Sequence, residues 1–191
     1  MTAFMKKVRG PGEAVIAMEG WIRDCPKAVN VIVFNCFLNR LRSDPTLQSK
    51  WFQRMRDLKL IPNEITLSTV MSAAPTSEAA VLLIKAFIED YPDAVQRHPN
   101  CFTALLSLLR NKRDFANMQH WWHEMCRRNI PPDGVTLTIM ISAAPTSEAA
   151  ILLMESFLED FPAAVQRDPG CFTALLSRLR GNHDYVNMQH W

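Results

Sequence analysis

No apolar run in the chain approaches the roughly 20 residues that a membrane-spanning helix needs, so no membrane partner is expected. The basic opening MTAFMKKVRGPG has no apolar signal core, which argues against secretion, and it is short and poor in serine for a transit peptide. CxxC pairs are missing too. The cysteines (Cys25, Cys36, Cys101, Cys126, Cys171) are odd in number and widely spaced. That pattern points to reduced, buried thiols and away from a disulfide frame or a zinc site. Charge of one sign is also scarce: 21 basic against 19 acidic residues leave a formal charge of +2, with no long run of either sign. A nucleic acid would have to be met by a local basic stripe, not by bulk charge. There is no GxxxxGKS phosphate loop, no GxSxG elbow, and no HxE with PCxxC. Neither catalysis nor a cofactor nor a small-molecule substrate is expected.

What the chain does have is repetition. SAAPTSEAA runs from Ser72 to Ala80 and again from Ser142 to Ala150. Laying 66–121 over 136–191 without a gap gives identity at about two-thirds of positions, including CFTALLS and NMQHW. The seventy-residue period divides further. Phe34, Phe37, Leu38 and Leu41 follow the spacing of one helix face, and so do Leu67, Val70, Met71 and Ala74. The same pattern returns at Phe102, Leu105, Leu106 and Leu109, at Leu137, Met140, Ile141 and Ala144, and at Phe172, Leu175, Leu176 and Leu179. The unit is therefore about thirty-five residues.

Each unit also holds a second helix. DFANMQHWWHEMCRRN offers Asp114 as cap and a stripe of Phe115, Met118, Trp121 or Trp122, and Met125. Its counterpart LQSKWFQRMRDL presents Leu47, Trp51, Met55 and Leu58. Pro75 and Pro145 should stop their first helices early, after which Thr76 and Thr146 can cap long second helices. SAAPTSEAA is then the elbow of a helical hairpin. EAVIAMEGWIRDCPKAV at 13–29 aligns with AAVLLIKAFIEDYPDAV at 79–95, so the chain opens and closes inside units and has the look of a section of a longer array.

Hairpins of this length with these residues resemble the pentatricopeptide repeat family. The likeness is carried by FQRMRDLKLIPNEITLSTVMSAA at 52–74 and WHEMCRRNIPPDGVTLTIMISAA at 122–144. In both, a methionine-ended helix leads through Pro-Asn or Pro-Asp into a threonine-led apolar helix. The resemblance covers about 13 to 191. It implies an all-α, right-handed α-solenoid of antiparallel helical hairpins. Residues 1–30 are the second helix of a partial repeat with an N-terminal extension. Full repeats follow at 31–63, 64–98, 99–133 and 134–168, and a partial one at 169–191. The 64–98 and 134–168 units depart from the pattern, with the early proline and QRHP or QRDP endings. Tetratricopeptide arrays are the structural alternative, but their Trp-Leu-Gly-Tyr pattern is absent.

The resemblance further implies single-stranded RNA along the inner groove, one base per repeat. The first reading residues are Asn35, Ser68, Thr103, Thr138 and Thr173, all short and polar and about 100° round from the apolar stripe. The second readers are Asn63, His98, Asp133 and Asp168. By resemblance, Thr103 with Asp133 and Thr138 with Asp168 are guanine pairs, and Asn35 with Asn63 is a pyrimidine pair. Ser68 with His98 matches no pair. Ile32, Ile65 and Val135 would sandwich bases; Asn100 and Gly170 fill that place poorly. Arg42, Arg110 and Arg180, each in a Leu-Arg pair, suit phosphates, though they could equally be surface charges. His120 and His123 have a spacing zinc could use, but no second ligand pair accompanies them, and no metal is expected. The setting implied is a mitochondrion or chloroplast, in transcript processing, stability, editing or translation, with other RNA-processing proteins as further partners. The alternative from another class is a helical-repeat scaffold for protein–protein interaction.

Overall fold

The computed structural model describes residues 8–92, 100–162 and 170–191. Among them the architecture is all-α, of the α-solenoid type built from helical hairpins. Two compact units divide between Cys101 and Phe102.

In the first unit, α1 (Pro11–Asp24) and a 3₁₀ turn (Pro26–Ala28) precede α2 (Val31–Arg40), α3 (Pro45–Asp57), α4 (Glu64–Met71) and α5 (Ser77–Asp90). The stripe that the spacing predicts is the core: Phe34, Phe37, Leu38 and Leu41 are fully buried, as are Met18 and Met55, with Trp51 nearly so. Phe37 meets Trp51 edge-on, with ring centroids 4.8 Å apart and an interplanar angle of 80°. Each such side chain contributes roughly 1.5–3 kcal/mol by leaving water. Polar groups share this interior: Asn35, Gln48, Thr66 and Ser77 are buried. Gln48 on α3 has its Nε2 donating to the Leu38 carbonyl at 3.0 Å, a second bond to an acceptor that also takes Leu41 N at 3.1 Å where α2 ends.

The second unit contains α6 (Asn100–Asn111, whose first two residues lie before the division), α7 (Phe115–Arg127), α8 (Gly134–Ala143), α9 (Ser147–Asp160), α10 (Gly170–Gly181) and α11 (Tyr185–His190). Phe102, Leu105, Leu106 and Leu109 are buried, as are Leu137, Met140, Ile141 and Ala144. Trp121 packs near Phe102 and Trp122 near Phe157. On α10 only Leu175 and Leu179 of the stripe are buried. Phe172 and Leu176 are half-covered, and Phe172 leans on Trp191 at 6.4 Å.

The caps follow the sequence closely. Thr76, Asp114 and Thr146 accept from the backbone N–H three residues on. Helices α4 and α8 end before their prolines. Ala144, placed just ahead of Pro145, has ψ 134, the extended setting a following proline imposes. Cysteine burial is mixed. Cys101 and Cys171 are buried, Cys36 and Cys126 half-buried, but Cys25 is exposed, contrary to the sequence expectation. It is the C-cap of α1 immediately before Pro26, outside the apolar stripe. Among the described residues no helix is long and apolar enough to cross a membrane.

Candidate nucleic-acid interface

Asn63 and Asp133 sit at the N-caps of α4 and α8, with the β-branched Ile65 and Val135 two positions on. The cap fixes each side chain's orientation, since the oxygen must face the helix. Asn63 Oδ1 accepts from Thr66 N at 3.1 Å, and Asp133 Oδ1 accepts from Thr136 N at 2.7 Å.

Residues far apart in sequence join them. Asn35 Nδ2 on α2 donates to Asn63 Oδ1 at 3.0 Å, so the two residues expected to read one base touch directly. The Thr66 hydroxyl donates to Asn35 Oδ1 at 2.6 Å and accepts from Asn63 N at 3.1 Å. In the second unit the corresponding readers are bridged. Thr103 Oγ1 lies 2.9 Å from Thr136 Oγ1, which donates to Asp133 Oδ1 at 2.6 Å. Thr66 and Thr136 are wholly buried. Sequence reasoning passed over both, although their place three residues after an Asn or Asp is the usual mark of a cap.

The other expected readers stand differently. Asn35 is only 7% exposed, so it is an interior residue and not the solvated one that its helical angle suggests. Ser68 is half-buried and turns its hydroxyl back to the Ile65 carbonyl at 3.1 Å. Thr138 is half-buried and Thr173 exposed. His98 and Asp168 lie outside the described residues.

Ile32, Ile65 and Val135 are 66%, 54% and 52% exposed. Each is on the first turn of its helix, three residues before a first reader, on the same side. Asn100 is exposed and Gly170 half-buried.

The arginines are not equivalent. Arg110, inside α6, reaches Ser142 Oγ at 3.4 Å, and Arg180, inside α10, is exposed. Arg42 is exposed but lies beyond α2, which ends at Arg40 with Leu41 as C-cap. It is therefore not on the helical face that the repeated Leu-Arg suggests. The reason is local: Asp44 N bonds to Leu41 O at 2.8 Å and Asp44 caps α3, so the chain is already turning. Arg178, which the pattern did not single out, donates from Nη2 to the Pro145 carbonyl at 2.9 Å and pins the elbow. His120 and His123 are exposed on α7.

No family model matches the chain. Over 80 residues, 42% of its length, it is 34% identical to the pentatricopeptide repeat-containing protein ATP4, chloroplastic, of Zea mays. That stretch spans 11% of the relative's own length. The likeness is thus to a protein of helical repeats, the architecture described above.

Proposed function

We propose that the chain binds single-stranded RNA sequence-specifically, without catalysis, as part of a pentatricopeptide array in organellar transcript processing, stability, editing or translation. One observation carries this reading. At the start of both α4 and α8, a first and a second reader from separate helices are gathered into one hydrogen-bonded cluster beside an exposed apolar residue. A base needs polar atoms for its edge and an apolar surface for its face, and the cluster supplies both. The segments 31–63, 64–98, 99–133 and 134–168 serve as the reading units. The chloroplastic relative supports the organellar setting.

The scaffold reading draws on a different feature. An apolar groove of about 440 Å³ lies between α3 and α5, with Phe52, Leu82, Leu83 and Phe87 in its lining. Fluorescence anisotropy of labelled single-stranded RNA separates the two. RNA binding should weaken steeply with salt, because phosphate contacts release counterions. Binding that is absent, or insensitive to salt, together with nuclease-resistant capture of proteins, would favour the scaffold.

A further inference from the structure

The hydroxyl of Thr136 has a single proton, and its neighbours decide where that proton goes. Asp133 Oδ1, at 2.6 Å, belongs to a carboxylate and can only accept, so Thr136 must donate to it. The remaining contact of Thr136 Oγ1, 2.9 Å to Thr103 Oγ1, then requires Thr103 to donate. A one-way relay results: Thr103 to Thr136 to Asp133. It leaves the Thr103 oxygen with lone pairs only, and the relay and the cap both fall on Oδ1 of Asp133. Among the described residues Asp133 Oδ2 has no partner. Both readers therefore present acceptors, the complement of guanine's N1–H and N2–H₂.

The first unit shows the same logic with the opposite sign. The cap fixes Asn63 Oδ1 toward Thr66 N, so the atom of Asn35 facing Asn63 Oδ1 is Nδ2. Asn35 Oδ1 then faces Thr66; Asn63 Oδ1 also lies 3.0 Å from the Thr66 hydroxyl, but the closer Asn35 Oδ1, which can only accept, takes its one proton at 2.6 Å. Among the described residues neither Asn63 Nδ2 proton has a partner, which suits the acceptors of a pyrimidine edge.

We infer that the buried Thr66 and Thr136 hydroxyls, which touch no base themselves, set the hydrogen-bond polarity of the reading pairs. They are positioning residues for base choice. The inference rests on the RNA-reading function proposed above. The corresponding positions in the alternate units hold Cys101 and Cys171, whose thiols are weak donors, so relays of this strength alternate along the chain.

Thr136 is the better residue to test, because Thr66 also completes a capping box on which α4 depends. The full chain with Thr136→Val keeps the side-chain shape and loses the hydroxyl. Freed from the relay, Thr103 can turn its proton toward an acceptor of adenine. RNAs differing only by G or A opposite the Thr103–Asp133 pair are compared by anisotropy. The G-over-A ratio should fall about tenfold in Thr136→Val, the worth of one hydrogen bond, and recover in Thr136→Ser. An unchanged ratio, or equal weakening of both RNAs, overturns the inference. A wild-type chain that does not discriminate removes the base-reading function, and this inference with it. An RNA-free measurement separates the two failures. Thr103→Val and Thr136→Val, singly and together, should shift the melting temperature non-additively. Additive shifts mean that the relay is absent even if the chain reads bases.

Discussion

Arg56 on α3 and Asp90 on α5 form an ion pair at 2.5 Å, and the residues equivalent by repeat in the second unit are Cys126 and Asp160. The pair joins two second helices at the edge of the α3–α5 groove. In the other unit the acid is kept but its base has been replaced by a thiol.

Cys126→Arg should therefore rebuild the pair between α7 and α9. Both partners of the existing bridge are about one-third exposed, so solvent weakens it. The expected gain is at most about 1 kcal/mol, declining with added salt. Thermal melts at low and high salt check this. A gain that ignores salt would mean packing, not charge, is responsible.

Cys126 is also the residue with a distinctive pH response. Burial pushes its thiol above the ordinary range, and the charge of Asp160 adds to the rise. Only the thiolate alkylates, so Cys126 should react with iodoacetamide more slowly than exposed Cys25 near pH 8. Its folded pKa is raised. The stability that the neutral thiol contributes is thus full below the unfolded value of about 8.5 and is lost as pH climbs through the folded one. Asp160→Asn should bring the reaction profile of Cys126 down in pH. Peptide mass spectrometry after timed labelling reads both rates, and an unshifted profile would discount Asp160.

Among the described residues four helices close with a residue in the left-handed region, and none of the four is glycine: Lys59, Arg113, Asn129 and His183 have φ between 56° and 58°. The following N–H reaches back to the helix, as from Leu60 to Met55 O at 3.2 Å and from Ile130 to Met125 O at 3.1 Å. A lysine bears the Cβ strain of that conformation, whereas asparagine tolerates it better. Lys59→Gly should stabilise the chain by roughly 0.5–1 kcal/mol, and Asn129→Gly by clearly less. Chemical denaturation of the two variants decides. Equal effects would mean the strain is not the cause.

The sequence disclosed what periodicity and capping control. Phe102, Leu105, Leu106 and Leu109 could be placed in a core from spacing alone, and Thr76 and Asp114 from their position before apolar runs. It disclosed little of what depends on a neighbouring hairpin. Asn35 is placed only by its angle on its own helix, which gives no sign that Thr66, thirty-one residues on, bonds to it. Gln48 gave no sign of its bond to the Leu38 carbonyl, since the donor and acceptor belong to different helices. Arg180 stood out through the repeated Leu-Arg pattern, while Arg178 makes the tertiary contact. Repetition marks inherited residues, and contacts are made by whichever side chain can reach.

If RNA phosphates lie along this chain, the arginines should answer as charges and not as readers. Arg110→Ala and Arg180→Ala should each weaken every RNA about equally and lower the salt slope by a fraction of a unit to about one unit. Arg42→Ala should do less, because Arg42 is in the turn after α2. Anisotropy titrations over a range of salt test the ordering. Unchanged affinity in the triple variant would return all three to the ordinary surface.

The sharpest prediction concerns Asp133. Substituting a residue that caps a helix usually confuses function with folding, because losing the cap costs about 1 kcal/mol. Asparagine avoids that confusion, since it caps as well as aspartate does. In Asp133→Asn the side-chain oxygen can still accept from Thr136 N and from the Thr136 hydroxyl, so α8 should begin where it now does. What changes is the other atom. The carboxylate Oδ2, which can only accept, becomes an amide that donates. Guanine's N1–H then meets a donor, and adenine's N1 meets a partner it previously lacked. Preference at that base should move from G toward A by roughly 1–3 kcal/mol, by analogy with bidentate base contacts. Asp133→Ala serves as the contrast, because it should lower stability and weaken both RNAs without reversing their order. If Asp133→Asn leaves the melting temperature in place and still lowers G and A binding equally, Asp133 is a cap and nothing more.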